Sequence, residues 1–168
     1  RMENRNAPIF SESELHTKGV APKWGIAEDF NKKIEKFQPD LILCSVLEST
    51  YYLAMMLLES VPKNKRKYKT LFGGVFATYA SEKIIKSDLV DYICRGEGEE
   101  EIQDFCHRLS NGERIDNVKN FTVKAEGQIF RNTLRPAVDI ETVPIPDWDL
   151  FEEGSLYRPM QGKIWRAV

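Results

Sequence analysis

Two short segments combine an apolar run with hydroxyl or glycine residues, a pattern typical of strands that end at a ligand site. In PDLILCSVLEST the apolar run Leu41–Cys44 ends at Ser45, and in LFGGVFAT the apolar run ends at Gly73 and Gly74. Apolar runs of this length favour strands buried on both faces, as in parallel sheets, and YYLAMMLLESV between them favours a helix. Open sheets of this kind bind ligands beyond the carboxyl ends of their strands. Ser45, Gly73 and Gly74 are therefore the first candidate binding residues.

The Gly73-Gly74 pair has two possible explanations. Without a β-carbon, a glycine at a strand end lets a ligand or another backbone segment come close. A tight turn with no ligand would need the same residues, so the pair alone does not decide between them.

A second glycine-containing segment, Gly96-Glu97-Gly98, precedes a predicted helix. Backbone N–H groups at a helix N-terminus favour oxygen-rich ligands. The segment differs from the dinucleotide-binding fingerprint, because the third glycine is missing and Glu99 and Glu100 would repel a pyrophosphate.

Other common chemistries lack their residues. The chain has no P-loop, and its two histidines, His16 and His107, accompany no nucleophile elbow, which argues against a Ser–His–Asp system. The spacing of Cys44, Cys94 and Cys106 fits neither a zinc site nor an iron–sulfur motif, so core packing is the better explanation. The sequence thus predicts no catalytic residue and no metal ligand.

The elements predicted to position these residues alternate between strands and helices. Helices are predicted from Ile26 to before Pro39, over Tyr52–Ser60, over Ser81–Lys86 with Ser81 as the cap, and around the apolar stripe Ile102–Leu109. A further strand is predicted at Asp91–Cys94, and a β-hairpin is predicted around Glu126-Gly127. Such alternation predicts an α/β fold, a Rossmann-like (flavodoxin-like) parallel sheet with flanking helices.

The chain divides into four predicted segments. Residues 1–25 are expected to be an irregular arm with a short strand near Ile9, residues 26–117 the α/β domain, residues 118–134 the hairpin, and residues 135–168 an extended linker with several aromatic side chains. The basic run Lys63–Lys69 is either a phosphate-contacting patch or a solvated loop, and the loop is favoured.

Composition excludes several classes of protein. The chain has 168 residues, 42% of them hydrophobic and 30% charged, as in a globular domain. A net charge of −2 argues against a nucleic-acid binder, and the longest apolar run, Tyr51–Leu58, is too short to span a membrane. Three cysteines do not make a disulfide framework, so we expect a cytoplasmic setting.

The quoted residues resemble those of cobalamin-binding domains. Ser45-Val46-Leu47 followed by Gly73-Gly74 is similar to the Ser-x-Leu and Gly-Gly pair of that family. GGVFAT followed by VDYICRGEGEE resembles the version fused to radical S-adenosylmethionine enzymes, and LYRPMQGKIW resembles the connector into the radical domain. The resemblance covers roughly residues 26 to 109.

The resemblance implies a site for the nucleotide tail of cobalamin and a loop near the edge of its corrin ring. Ser45 would hydrogen-bond the benzimidazole. The remaining implied contacts are Leu47, Ser49 and Thr50 lining the slot, Gly73, Gly74, Ala77 and Thr78 packing on the tail, and Gly96, Glu97, Gly98 and Glu99 approaching the corrin.

It also implies a parent enzyme of methyltransferase type, with a 4Fe-4S cluster and S-adenosylmethionine in its radical domain; one branch of the family is the anaerobic magnesium-protoporphyrin ester cyclase, an oxidative cyclase. The Cys-x-x-x-Cys-x-x-Cys motif of the radical domain is absent here. We therefore expect a cobalamin module that is not catalytic alone. A different α/β nucleotide-binding domain, or an interaction domain that has lost its ligand, are the alternatives.

Two further expectations concern the start of the domain. The first strands of the family fold are not found, so the chain is expected to start partway into the domain and to leave strand Leu41–Ser45 with an open edge. Such an edge invites self-association, or a substitute strand from the arm or the hairpin. The segment from Glu14 to Gly19 mimics the family's cobalt-ligating histidine loop, but its position does not fit, so His16→Ala should leave the cobalamin spectrum unchanged.

Overall fold

The computed structural model describes residues 25–151, 153–160 and 163–166. Most of the predicted arm, including the strand near Ile9 and His16, lies outside these residues. Residues 25–143 form one compact unit, and residues from Pro144 onward belong to another. The elements of the first unit are α1 (Ile26–Phe37), β1 (Leu41–Ser45), α2 (Glu48–Ser60), a 3-10 turn (Lys63–Lys65), β2 (Lys69–Gly73), α3 (Val75–Tyr79), α4 (Ser81–Ile84), β3 (Tyr92–Cys94), α5 (Glu101–Asn111), β4 (Phe121–Ala125), β5 (Gln128–Arg131) and a 3-10 turn (Ile140–Thr142).

The strands of this unit form one five-stranded sheet in the order β1-β2-β3-β4-β5. β1, β2 and β3 are parallel, and β4 and β5 continue the sheet antiparallel. Helices follow the parallel strands, so the predicted Rossmann-like α/β class is confirmed.

The sheet has a hydrophobic core on each face, because successive strand residues point to opposite sides. On one face Phe72 and Ile93 pack with Tyr51 and Leu58 of α2 and with side chains of α3 and α4. On the other face Leu71 and Tyr92 pack with Phe105 of α5 and with β4. Since α5 packs against β2 to β4, the second face of β1 is less covered, and Leu43 is 53% exposed.

Local signals explain where most helices begin and end. α1 ends before Pro39 as predicted. α2 begins at Glu48, earlier than predicted, because the Thr50 hydroxyl accepts a hydrogen bond from the Leu47 N–H (2.9 Å).

The helix predicted over Ser81–Lys86 is present but shorter, since it ends at Ile84, and its predicted cap at Ser81 is wrong. The chain turns at Gly74 directly into α3, and a second short helix, α4, follows. Ser81 is the first residue of α4, and no side chain caps that helix.

The hairpin around Glu126-Gly127 is confirmed, with both residues at positive φ (51° and 74°). Its first strand, β4, pairs with β3, so the hairpin is not the substitute strand expected beside β1. Among the described residues β1 pairs only with β2. Self-association through this edge stays a prediction.

The second unit is more structured than the extended linker predicted for it. It contains 3-10 turns at Trp148–Leu150 and Glu153–Leu156 and a hairpin of β6 (Tyr157–Met160) and β7 (Lys163–Arg166). No helix in the described part of the chain is long and apolar enough to cross a membrane.

Candidate functional site

The carboxyl ends of β1 and β2 lie side by side, with Ser45 opposite Gly73 in the register. The Val46 N–H donates to the Gly73 carbonyl (2.9 Å), and the Phe76 N–H donates to the Val46 carbonyl (3.2 Å). Ser45 is exposed, and its hydroxyl has no hydrogen-bond partner among the residues that the structure describes. A polar group is therefore available at the edge where ligands of such sheets bind.

The two adjacent glycines have different roles. Gly74 has φ 88°, and a β-carbon there would lie 2.9 Å from both the N and the O of Val46 and 3.0 Å from Ser45 Oγ. Gly74 therefore permits a close approach between two parts of the chain itself. A β-carbon on Gly73 would meet only the Cys94 carbonyl oxygen, at 4.0 Å. Space for a ligand is thus found at Gly73 rather than at Gly74.

A cavity of about 280 Å³ lies beside β1 and α2. Two predicted residues, Ser45 and Thr50, line it, and the other lining residues are mostly apolar: Phe30, Leu43, Cys44, Val46, Leu53, Ala54, Leu57 and Leu58. Leu47 is 55% exposed at the start of α2, and Ser49 is exposed beside it. This arrangement offers an apolar slot with hydroxyl groups at its rim.

A larger cavity, of about 410 Å³, lies at the opposite end of β1, near Pro39 and Asp40. It is lined partly by the basic segment, in which Lys65 pairs with Glu35 (2.5 Å). The Arg66 side chain donates to the Val61 and Glu59 carbonyls. Since these contacts fix the segment within the protein, the loop explanation fits it better than a phosphate-contacting patch.

Thr78 connects the turn after β2 to the loop after β3. Its hydroxyl donates to the Gly74 carbonyl (3.0 Å) and accepts from the Gly96 N–H (2.9 Å). Predicted residues from two distant segments are thereby joined. The neighbouring Ala77 is fully buried in the core and offers no surface to a ligand in this conformation.

The loop Gly96–Glu99 is exposed except at Gly98. A β-carbon on Gly96 would meet nothing within 4 Å, whereas one on Gly98 would lie 3.0 Å from Ile102 Cδ1. Both carboxylates accept backbone hydrogen bonds: Glu97 from Val138 N–H (2.6 Å) and Glu99 from Gly98 N–H (2.9 Å).

Sequence reasoning missed three residues, one that contacts this loop and two that form an ion pair next to it. Asn120, only 4% exposed, has φ 62° and donates from Nδ2 to the Glu97 carbonyl (2.8 Å). Glu101 is 1% exposed, and Arg135 Nε lies 2.8 Å from its Oε1 without hydrogen-bond geometry. No spacing rule connects positions so far apart in sequence.

The cysteine thiols do not resemble reactive or metal-binding groups. Burial raises the pKa of Cys44 to about 11. Burial, and secondarily the charges of Glu101 and Glu99, raise the pKa of Cys94 to about 11. Both thiols are therefore protonated at neutral pH, as core side chains are. Within the described ranges no three His, Cys, Asp or Glu side chains form a group that could hold a metal ion.

Comparison with known families identifies the domain. Residues 12–105, more than half of the chain, match the family model of the B12 binding domain. The chain belongs to the B12-binding domain family. The strand-end site described above lies within the matched part, as does the loop Gly96–Glu99.

Relatives of this B12-binding domain are longer proteins, and the similarity covers only part of each. An uncharacterized methyltransferase of Pyrococcus horikoshii, PH0819, is 26% identical over 133 residues, which cover 75% of this chain and 29% of the relative. A cobalamin-dependent S-adenosylmethionine radical enzyme, OxsB, solved with aqua-cobalamin and S-adenosylmethionine bound, superposes with a TM-score of 0.64 at 23% identity over 86% of this chain and 21% of OxsB.

A second solved relative has the same fold. The radical S-adenosylmethionine methyltransferase TsrM of Kitasatospora setae superposes with a TM-score of 0.57 at 11% identity, over 65% of this chain and 22% of TsrM. The B12-binding domain thus spans between a fifth and a third of the length of these relatives.

Proposed function

We propose that this domain binds cobalamin, with the nucleotide tail of the cofactor seated at the carboxyl ends of β1 and β2. The observation that carries the proposal is the pairing of Ser45 with Gly73, where an exposed hydroxyl lies beside a glycine with open space, in a member of the B12-binding domain family. The apolar cavity beside Ser45 suits a flat aromatic base, since such sites are mostly apolar with a few placed polar groups.

Each end of the proposed site has its own residues. Ser45 Oγ would hydrogen-bond the benzimidazole, and Thr50 would line the slot around it, with Leu47 and Ser49 exposed beside the slot at the start of α2. Gly73 would let the tail approach the β2 backbone. Gly74 and Thr78 would hold the turn that shapes this surface.

The loop Gly96–Glu99 would approach the corrin edge. The corrin ring carries amide side chains, which can donate hydrogen bonds to exposed carboxylates. Glu97 and Glu99 are exposed and are already oriented by backbone N–H groups, so they need little further ordering on binding.

The domain would serve as the cofactor module of a larger cobalamin-dependent radical S-adenosylmethionine enzyme, whose radical domain would hold the 4Fe-4S cluster and S-adenosylmethionine. Three similarities support this proposal: to OxsB, to TsrM and to a relative named as a methyltransferase. Cobalamin supplies a cobalt centre that carries a methyl group or an electron. The protein's contribution is to orient the cofactor and to shield one of its faces.

Retention of cobalamin tests the proposal. The chain is incubated with aquacobalamin, dialysed, and its visible absorption measured against its protein concentration. We expect one cobalamin to be retained per chain, and no displacement by an excess of ATP or NAD. A chain that emerges without cobalamin, or that releases it to ATP, would overturn the proposed function.

A further inference from the structure

The segment Thr133–Val138, which follows β5, runs along the loop Gly96–Glu99 and is fastened to it. Asn120 N–H donates to the Thr133 carbonyl (2.9 Å), and Asn120 Oδ1 accepts from Arg135 N–H (2.7 Å). Val138 N–H donates to the Glu97 carboxylate (2.6 Å). The segment therefore has backbone contacts with both Asn120 and the loop.

We propose that Asn120 is a positioning residue that holds the loop Gly96–Glu99 in place for the corrin edge, by fastening it to the segment Thr133–Val138. The inference rests on the proposed function for its ligand. The control of the loop by Asn120, in contrast, is argued from hydrogen bonds within the chain alone.

The burial and the hydrogen bonds of Asn120 suit this role. It is buried, and all of its hydrogen-bonding groups that bear on the loop are used: Nδ2 donates to the Glu97 carbonyl (2.8 Å), and its own carbonyl accepts from Arg95 N–H (2.9 Å). Its φ is positive (62°), a conformation that asparagine tolerates better than most residues. Asn120 thus contacts both Arg95, directly before the loop, and Glu97 within it.

A second set of contacts reinforces the segment. Arg135 pairs with Glu100, and its Nε lies 2.8 Å from the carboxylate of Glu101, which is buried beneath the loop's C-terminal end. A buried carboxylate without other partners holds its cation strongly, because separation would leave an uncompensated charge. Arg135 is therefore held in place, and so is its backbone N–H, which donates to Asn120 Oδ1.

Apart from Asn120, two side chains from outside the loop hydrogen-bond its backbone within the described residues: the Thr78 hydroxyl accepts from Gly96 N–H (2.9 Å), and the Cys94 thiol donates to the Glu97 carbonyl (3.8 Å). Two of its four residues are glycines, which lower the cost of moving the backbone. Without the Asn120 side chain the loop would be attached mainly through Thr78, the Glu97 carboxylate and the weak hydrogen bond from the Cys94 thiol. We therefore expect its local opening to become easier, and the free energy of that opening is what amide exchange measures.

The test uses Asn120→Asp and Asn120→Gly in the full chain. Aspartate keeps the oxygen that receives Arg135 N–H but replaces the donor to Glu97 with an acceptor. Glycine fits the positive φ and removes the side chain without adding a charge. The matched control is Asn117→Asp, whose side-chain oxygen accepts from Arg108 and does not contact the loop.

Hydrogen exchange of the cobalamin-free chain is measured on peptides covering residues 95–99 and, for reference, β1 and α2. We expect the exchange rate of residues 95–99 to rise about tenfold in both Asn120 variants, because one buried hydrogen bond is lost. The exchange of the reference peptides, and that of residues 95–99 in Asn117→Asp, should stay unchanged. Cobalamin affinity, measured by titration, should fall by about tenfold in the same two variants.

The outcomes separate this inference from the proposed function. Unchanged loop exchange in a folded Asn120→Gly chain would overturn the positioning role, whatever the affinity. Faster exchange with unchanged affinity would show that the loop does not serve the site. A parent chain that binds no cobalamin would overturn the proposed function and the coupling with it, while the exchange data alone would still decide whether Asn120 holds the loop.

Discussion

A β-carbon on Gly74 would lie 3.0 Å from the hydroxyl oxygen of Ser45, at the point where β1 ends and the turn into α3 begins. The same atom would lie 2.9 Å from the N and the O of Val46, which are held by hydrogen bonds to Gly73 and Phe76. The fold itself therefore requires glycine at position 74, before any ligand is considered.

Gly74→Ala should lower the free energy of unfolding by about 3 kcal/mol, because steric overlap adds to the cost of its positive φ. Gly96→Ala is the matched control, since Gly96 also has positive φ (74°) but open space around its α-carbon; it should cost about 1 kcal/mol. Urea denaturation measures both. Equal losses would show that the close approach at Gly74 has no energetic weight.

The Thr78 hydroxyl should be worth about 1 kcal/mol to stability, because it satisfies the Gly74 carbonyl and the Gly96 N–H at once. Thr78→Val keeps the shape and removes both hydrogen bonds, whereas Thr78→Ser keeps the hydroxyl. Denaturation should show a loss for valine that is at least twice the loss for serine. A valine variant as stable as the parent chain would show that these two hydrogen bonds add nothing to stability.

The strands and the hairpin could be predicted because their signals are local. The apolar runs before Ser45 and Gly73, and Glu126-Gly127 at a turn of positive φ, each identify their element from adjacent residues. The helix directly after Gly74, α3, could not be placed, since its five residues leave no periodic pattern to read, whereas α4 begins at Ser81 as predicted.

The contacts of the loop after β3 could not be predicted either. Asn120 and Arg135 reach Glu97 and Glu101 only because the hairpin pairs with β3, and strand pairing at the sheet edge is not encoded in any local spacing. The resemblance to cobalamin-binding domains identified the family from its motifs, whereas the residues that support those motifs emerged only from the fold.

The buried carboxylate of Glu101 should make Arg135 important for stability. Arg135→Ala should lower the free energy of unfolding by about 2 kcal/mol, because it leaves the buried charge without its cation. Adding Glu101→Gln should recover part of this loss, since the charge is then removed as well. If the double variant shows the full sum of the two single losses, the two side chains act independently and the pairing carries no weight.

The thiols of Cys44 and Cys94 should resist alkylation in the folded chain, because burial raises the pKa of both to about 11. With iodoacetamide at pH 8, mass spectrometry should find the exposed Cys106 modified first. Between pH 9 and 11 the unfolded chain loses thiol protons that the folded chain keeps, so these two groups should make the free energy of unfolding fall as the pH rises. Cys94→Ala should flatten this decline; an unaltered slope would contradict the assignment.

The seat of the nucleotide tail is tested most directly by comparing cobalamin with cobinamide, which has the corrin ring but lacks the benzimidazole nucleotide. Titration of the chain, followed by visible absorption, should give an affinity at least a hundredfold weaker for cobinamide. Ser45→Ala should weaken the binding of cobalamin by about tenfold, because one hydrogen bond is lost, and leave the binding of cobinamide unchanged. The control is Ser110→Ala, which should alter neither affinity, because the Ser110 hydroxyl donates to the His107 carbonyl within α5. Equal affinities for cobalamin and cobinamide would contradict a tail site at the ends of β1 and β2.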